Sequence, residues 1–215
     1  YLGVFSFFSW SKSKKTEITN IPVSVIVCAK NEEKNLEKLI PLILNQNYKN
    51  FELVLINDAS TDDTLDVIKN FAAKSPLIKI VDVKENEQFW GNKKYPLTLG
   101  IKAATHEHLL FTDADCLPSS DNWITSMVQN FSDSKKIVLG YGAYKKEKSY
   151  LNKLIRYETL LTALQYFSYA KIGIPYMGVG RNLAYTKSEF FRVNGFISHM
   201  NVKSGDDDLF INQIA

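Results

Sequence analysis

Apolar residues along this chain fall into two alternating patterns. Val23 to Ala29 (VSVIVCA) is a continuous, largely β-branched run, the pattern of a strand buried on both faces. Glu33 to Leu44 then places Leu36, Leu39, Ile40, Ile43 and Leu44 at helical spacing. Phe51 to Ile56 predicts a second strand. Ser60-Thr61-Asp62-Asp63 has the spacing of a capping box opening a helix through Leu65, Ile68 and Phe71. Strands are further predicted at Ile78 to Val83, Leu109 to Thr112 and Ile137 to Tyr141, with helices over Leu97 to Ala104 and Asp121 to Phe131. Repeated strand–helix–strand units predict an α/β fold with a mainly parallel central sheet flanked by helices.

In such sheets ligands bind beyond the carboxyl ends of the strands. Three polar clusters stand at strand ends: Lys30-Asn31-Glu32, Asn57-Asp58 and Asp113-Ala114-Asp115. Residues 150 to 171 predict a longer helix with Leu151, Leu154, Ile155, Leu161, Leu164 and Phe167 on one side. Core packing is the reading taken for that side, with a membrane-surface helix as the alternative. A Gly-containing loop, Gly173 to Gly180, follows. Asp208 to Ala215 has helical spacing and no stop signal.

Composition narrows the function. In 215 residues, 45% are hydrophobic and the formal charge is +3, too balanced for nucleic acid binding, which calls for a basic patch or stripe. Cys28 and Cys116 adjoin apolar runs and read as buried, reduced small hydrophobes, which fits a reducing compartment. The chain starts with Tyr1 and reads as an excerpt of a longer protein. Residues 1 to 20 form a separate arm: YLGVFSFFSW is too short to span a bilayer, and Lys12, Lys14 and Lys15 follow it. That pattern fits both the cytoplasmic edge of a membrane helix and a loose terminal arm.

The strongest candidate chemistry is Asp113-Ala114-Asp115. Two carboxylates at the end of an apolar strand need a compensating charge, and hard oxygen ligands suit Mg²⁺ or Mn²⁺. Gly91-Asn92-Lys93-Lys94 precedes a helix, where a lysine would balance phosphate charge, although taken alone the stretch reads as a solvated basic loop. Asp58 suits a base N–H or a ribose hydroxyl, but taken alone Asn57-Asp58-Ala59-Ser60 reads first as a helix-starting turn. Asp206-Asp207-Asp208 lies at a predicted helix start, where the helix dipole favours acids. The following Leu209-Phe210-Ile211 draws it toward the core, so that one acid is available as a general base.

Six stretches in order, VSVIVCAKNEEKNL, FELVLINDASTDDT, GNKKYPLTLGIKAA, LLFTDADC, MGVGRNLAYTKSEFFRVNGF and SGDDDLF, resemble glycosyltransferase family 2, which has the GT-A fold. The resemblance covers Val23 to the end and implies a catalytic domain over residues 21 to 215. It implies that Ala29, Asn31 and Glu32 line the nucleotide pocket and that Asp58 meets the base. Lys93 would be the lysine of the family's Gly-Lys loop, with Asn92 inserted. Asp113 would face the ribose or diphosphate and share with Asp115 the binding of Mg²⁺ or Mn²⁺. Gly178 to Asn182 would shape the sugar and acceptor side, with Arg181 among the donor contacts. Asp206 is the expected base by its spacing to Leu209, with Asp207 next.

The implied reaction is metal-dependent transfer of a sugar, with inversion, from a nucleotide sugar (UDP-linked as the commonest case) to a carbohydrate or lipid-linked acceptor. The setting would be polysaccharide, cell-envelope or glycolipid synthesis at the cytoplasmic face of the membrane, reached through segments outside this chain. Three other readings compete. A phosphatase would carry DxD on the first strand with Thr two residues on, where this chain has Leu117. A nucleotidyltransferase would have a glycine after the first strand, and Lys30-Asn31-Glu32-Glu33 has none. A non-catalytic nucleotide-sugar-binding domain would have no need for acids at all three places.

Overall fold

The computed structural model describes residues 20–84, 93–202 and 204–214. The amino-terminal arm expected over residues 1 to 20, apart from Asn20, and the Gly91-Asn92 part of the basic loop lie outside them. A six-stranded sheet runs in the order β3-β2-β1-β4-β6-β5. Its strands are β1 (Val23–Ala29), β2 (Phe51–Asp58), β3 (Ile78–Val83), β4 (His108–Asp113), β5 (Ile137–Leu139) and β6 (Leu183–Thr186). The first four are mutually parallel, while β6 is antiparallel to both β4 and β5.

Helices α1 (Glu33–Leu44), α2 (Thr64–Ala72), α3 (Lys94–Ala103), α4 (Trp123–Val128), α5 (Tyr150–Lys171), α6 (Lys187–Arg192) and α7 (Asp208–Ile214) flank the sheet. Alternate side chains of β1 point into two cores. Val23, Val25 and Val27 join Leu36, Leu39, Ile40 and Ile43 of α1, whereas Ile26 packs with Val54, Ile56, Leu97 and Ile101. Burial on both faces explains why β1 is apolar without alternation. Gly100 lets α3 lie directly on this sheet, since a Cβ there would stand 2.2 Å from Ile56 Cδ1.

The chain proceeds β1, β2, β3 in one direction and then returns to place β4 on the far side of β1. The switch in direction opens a crevice between the carboxyl ends of β1 and β4, the position where open α/β sheets bind ligands.

Several expectations need correction. Ser60 does not cap α2: its Oγ accepts the Asn31 amide, and the helix begins at Thr64, with no side-chain cap from Asp63. Helix α3 starts three residues earlier than its apolar spacing suggested, and α4 is shorter at both ends. The strand at Ile137 stops at Leu139. Strand β6, only four residues long, carries no separate periodicity by which to predict it. The cysteines are free but half-buried rather than buried. The largest departure concerns α5, where Leu151, Leu154, Tyr157 and Leu160 are exposed and only Ala163, Tyr166 and Ser168 are buried. Among the described residues, no helix is long and apolar enough to cross a membrane.

Candidate active site

The loops after β1 and β2 are stitched together. Asn31 is in the left-handed region at φ 57° and Ala59 at φ 45°. Asn31 Oδ1 accepts the Thr61 amide at 2.8 Å, and the Glu32 amide donates to Thr64 Oγ1 at 2.8 Å. Glu32 accepts from Asn35 Nδ2 at 2.6 Å. The Asn31 and Glu32 side chains thus shape the rim by holding the loops, and the Ala29 methyl belongs to the core. Asp58 ends β2, half-buried, and its carboxyl is held above the usual range by burial, partly offset by Lys30. In strand order Asp58 and Asp113 lie on either side of β1, about 10 Å apart by inter-strand spacing.

Lys93, immediately before α3, points into the crevice. Its Nζ lies 2.6 Å from Asp113 Oδ1 and 3.9 Å from Asp206 Oδ2. Burial disfavours the ammonium, but Asp113 and Asp206 outweigh burial and push its pKa up. Ile26, Cys28, Phe111, Gly180 and Tyr185 line the same cleft. Burial pushes the Cys28 thiol up to about 12 despite Lys93, so it stays protonated at neutral pH.

The neighbouring Lys94 does something else. It is 1% exposed, and its Nζ donates to the carbonyls of His199, Val202 and Ser204 at 3.0, 2.6 and 2.6 Å. Of the two adjacent lysines, Lys93, the one expected near phosphate, enters the cleft, and Lys94 fixes the backbone that leads into the acidic triplet.

Within that triplet the roles also divide. Asp207 is committed to backbone, with Oδ2 accepting from Gly180 N and Oδ1 from Asp208 N, both at 2.8 Å. Asp206 faces Lys93 in the cleft. Burial raises its pKa, Lys93 lowers it, and Asp207 raises it again, for a net upward shift. Asp208 begins α7 as the dipole argument expects.

Asp113, Asp115 and Cys116 bring one potential ligand atom each within 4.8 Å of one another. The two carboxylates are the hard oxygen donors that Mg²⁺ or Mn²⁺ prefers. Cys116 was missed as a member of this group because its sequence context reads only as an apolar neighbour. Its thiol is pushed up to about 12 by burial and by Asp115 and Asp113, so the donor set rests on the two acids.

Arg181 lies on the other side of Asp207. Its Nε donates to the Gly142 carbonyl at 3.0 Å, and its guanidinium sits 5.2 Å from the Tyr144 ring centroid. The adjacent Asn182 accepts from Trp123 Nε1 at 3.0 Å and donates to the Tyr141 carbonyl at 3.0 Å. A second cleft of about 350 Å³ opens here, lined by Tyr141, Tyr144, Glu158, Thr162, Arg181 and Asp207, among others. The two clefts meet at the Gly180–Asp207 contact. A Cβ at Gly180 would lie 3.5 Å from Asp207 Oδ2 and 3.8 Å from Asp206 Oδ2, ordinary contact distances, so it is the Gly180 amide rather than its lack of a side chain that fixes the wall.

A mainly parallel α/β sheet flanked by helices, with its ligand crevice at the switch point, is the GT-A architecture, and solved glycosyltransferase structures share this fold. The mannosyltransferase PcManGT from Pyrobaculum calidifontis, in complex with GDP-Man and Mn²⁺, superposes with a TM-score of 0.68 at 22% identity, over 96% of this chain and 58% of that one. The family model for glycosyl transferase family 2 matches residues 24–192, and the chain belongs to this family. An uncharacterized glycosyltransferase of Haemophilus influenzae is 33% identical over 122 residues, 57% of this chain and 36% of the relative. WfaP of Escherichia coli, a UDP-Glc:alpha-D-GlcNAc-diphosphoundecaprenol beta-1,3-glucosyltransferase, is 28% identical over 132 residues, 60% of this chain and 48% of WfaP. The chain therefore spans half or less of the length of these two curated relatives.

Proposed function

We propose that this chain carries the donor site and the general base of an inverting, Mg²⁺- or Mn²⁺-dependent glycosyltransferase that uses a nucleotide sugar, with a UDP-sugar as the donor. The observation that carries the reading is the cleft shared by Lys93, Asp113 and Asp206. It combines a cation suited to diphosphate with a carboxylate whose pKa is raised toward that of a useful base. Asp113 and Asp115 would hold the metal ion, which when bound offsets the charge that builds on the leaving diphosphate.

In this mechanism Asp58 and the loops after β1 and β2 receive the nucleoside, while Lys93 turns toward the diphosphate. The acceptor hydroxyl enters from the second cleft, past Asp207. Asp206 takes its proton as the oxygen attacks the anomeric carbon, and the bond from that carbon to the phosphate oxygen breaks on the opposite face. A single displacement inverts the configuration. Asp207 holds Gly180 and so the wall between the clefts.

WfaP is named for glucosyl transfer from UDP-Glc to alpha-D-GlcNAc-diphosphoundecaprenol, a lipid-linked sugar, and PcManGT is complexed with GDP-Man and Mn²⁺. These names support a nucleotide-sugar donor and a carbohydrate or lipid-linked acceptor; that the whole protein works in cell-envelope synthesis at the cytoplasmic face of the membrane is part of the same proposal. The test is calorimetry of UDP-sugars with and without Mn²⁺. The expected result is metal-dependent binding that Asp115→Ala abolishes; metal-dependent binding unchanged in Asp115→Ala contradicts the metal assignment.

A further inference from the structure

Helix α5 has two dissimilar faces. One lines the second cleft through Glu158, Thr162 and Tyr166. On the other, Tyr150, Leu154, Tyr157 and Leu161 recur at helical spacing and are 81%, 52%, 65% and 36% exposed. They form an apolar stripe about 17 Å long. Isolated exposed apolar residues are ordinary, but a row of four on one helix face marks a contact surface.

Charge identifies what the stripe contacts. Lys145, Lys146, Lys148, Lys153 and Arg156 lie on the helix or immediately before it, against only Glu147 and Glu158. None of the five basic residues is in an ion pair among the described residues. The lysine segment is fixed to the first turn of the helix, where Asn152 Nδ2 donates to the Lys145 carbonyl and Asn152 Oδ1 accepts the Glu147 amide, both at 2.9 Å. A second copy of the chain would bring two such basic rims together, whereas anionic lipid headgroups neutralise one.

We propose that helix α5 docks on an anionic membrane surface, with Leu154 and Tyr157 entering the headgroup boundary and the flanking lysines meeting lipid phosphates. If the transfer reading holds, this orientation sets the second cleft beside the lipid surface, where a lipid-linked acceptor arrives. The docking itself stands apart from that reading.

The experiment is co-sedimentation of the 215-residue chain with phosphatidylcholine vesicles, with and without phosphatidylglycerol, without any transfer assay. The expected result is binding to the anionic vesicles alone that weakens with salt. The pair Leu154→Ser and Tyr157→Ser is expected to lower vesicle affinity at least about fivefold. Replacing Lys145, Lys146 and Lys148 by Gln is expected to flatten the salt dependence. All five side chains are exposed, so both variants should melt like the parent by circular dichroism. Equal binding of the parent and the Leu154/Tyr157 variant overturns the proposal. So does absence of binding, or sedimentation velocity showing a dimer that this variant dissolves.

Discussion

The Lys93 ammonium lies 2.6 Å from Asp113 Oδ1, and this ion pair joins the start of α3 to the end of β4 across the mouth of the crevice. Asp206 is at 3.9 Å from the same nitrogen, so one cation offsets two acids on opposite walls. Lys93→Met leaves those acids facing each other without a cation and removes the charge proposed to meet the diphosphate. Donor affinity measured by calorimetry is expected to fall about 10- to 100-fold, in line with loss of one charge-assisted contact. Unchanged affinity would place Lys93 outside the donor site.

The raised pKa of Asp206 sets the sign of two pH effects. As a base it must be ionised, so kcat is expected to fall as pH drops through a value above the usual carboxylate range. Lys93 lowers that pKa, so Lys93→Met should shift the acid limb to higher pH. For stability, a carboxylate whose folded pKa exceeds its unfolded value costs stability progressively as pH rises from the unfolded pKa to the folded one. Asp206→Asn is thus expected to melt higher than the parent at neutral pH, with the gap closing in acid. A lower melting temperature at pH 7 would contradict the burial argument.

Lys94 tests whether the acidic triplet is positioned from a distance. Its three carbonyl partners at His199, Val202 and Ser204 lie just before Asp206. Lys94→Met preserves much of the apolar stem while stranding these carbonyls. The expected cost is about 3 kcal/mol in denaturant unfolding, with a drop in kcat larger than any change in donor affinity. A stability loss without a kcat effect would confine Lys94 to scaffolding.

What the sequence made legible follows from which forces are local. The strand runs at Val23 and Phe51 are apolar because both faces are buried, and that signal survives without a structure. Asp113 and Asp115 were visible as acids leaving such a strand. Lys93 and Lys94 share one local pattern; the family resemblance singled out Lys93, but only the fold shows Lys94 turned beneath the loop to bind the carbonyls of His199, Val202 and Ser204. Ser60 had the spacing of a cap, but a non-local partner, the Asn31 amide, takes its hydroxyl. The division between Asp206 and Asp207 depends on Gly180, 27 residues away from Asp207. On α5, periodicity identified residues sharing a face but not whether anything covers them.

The central claim is that Asp206 removes the acceptor's proton while Asp207 builds the wall beside it. Transfer rates at saturating donor and Mn²⁺, for Asp206→Asn and Asp207→Asn side by side, test it most directly. The expected result is a loss in kcat of about 10²–10⁴-fold for Asp206→Asn with donor affinity retained, and a smaller loss for Asp207→Asn, whose amide oxygen still accepts from Gly180. Transfer that survives in Asp206→Asn and is lost in Asp207→Asn would contradict the assignment.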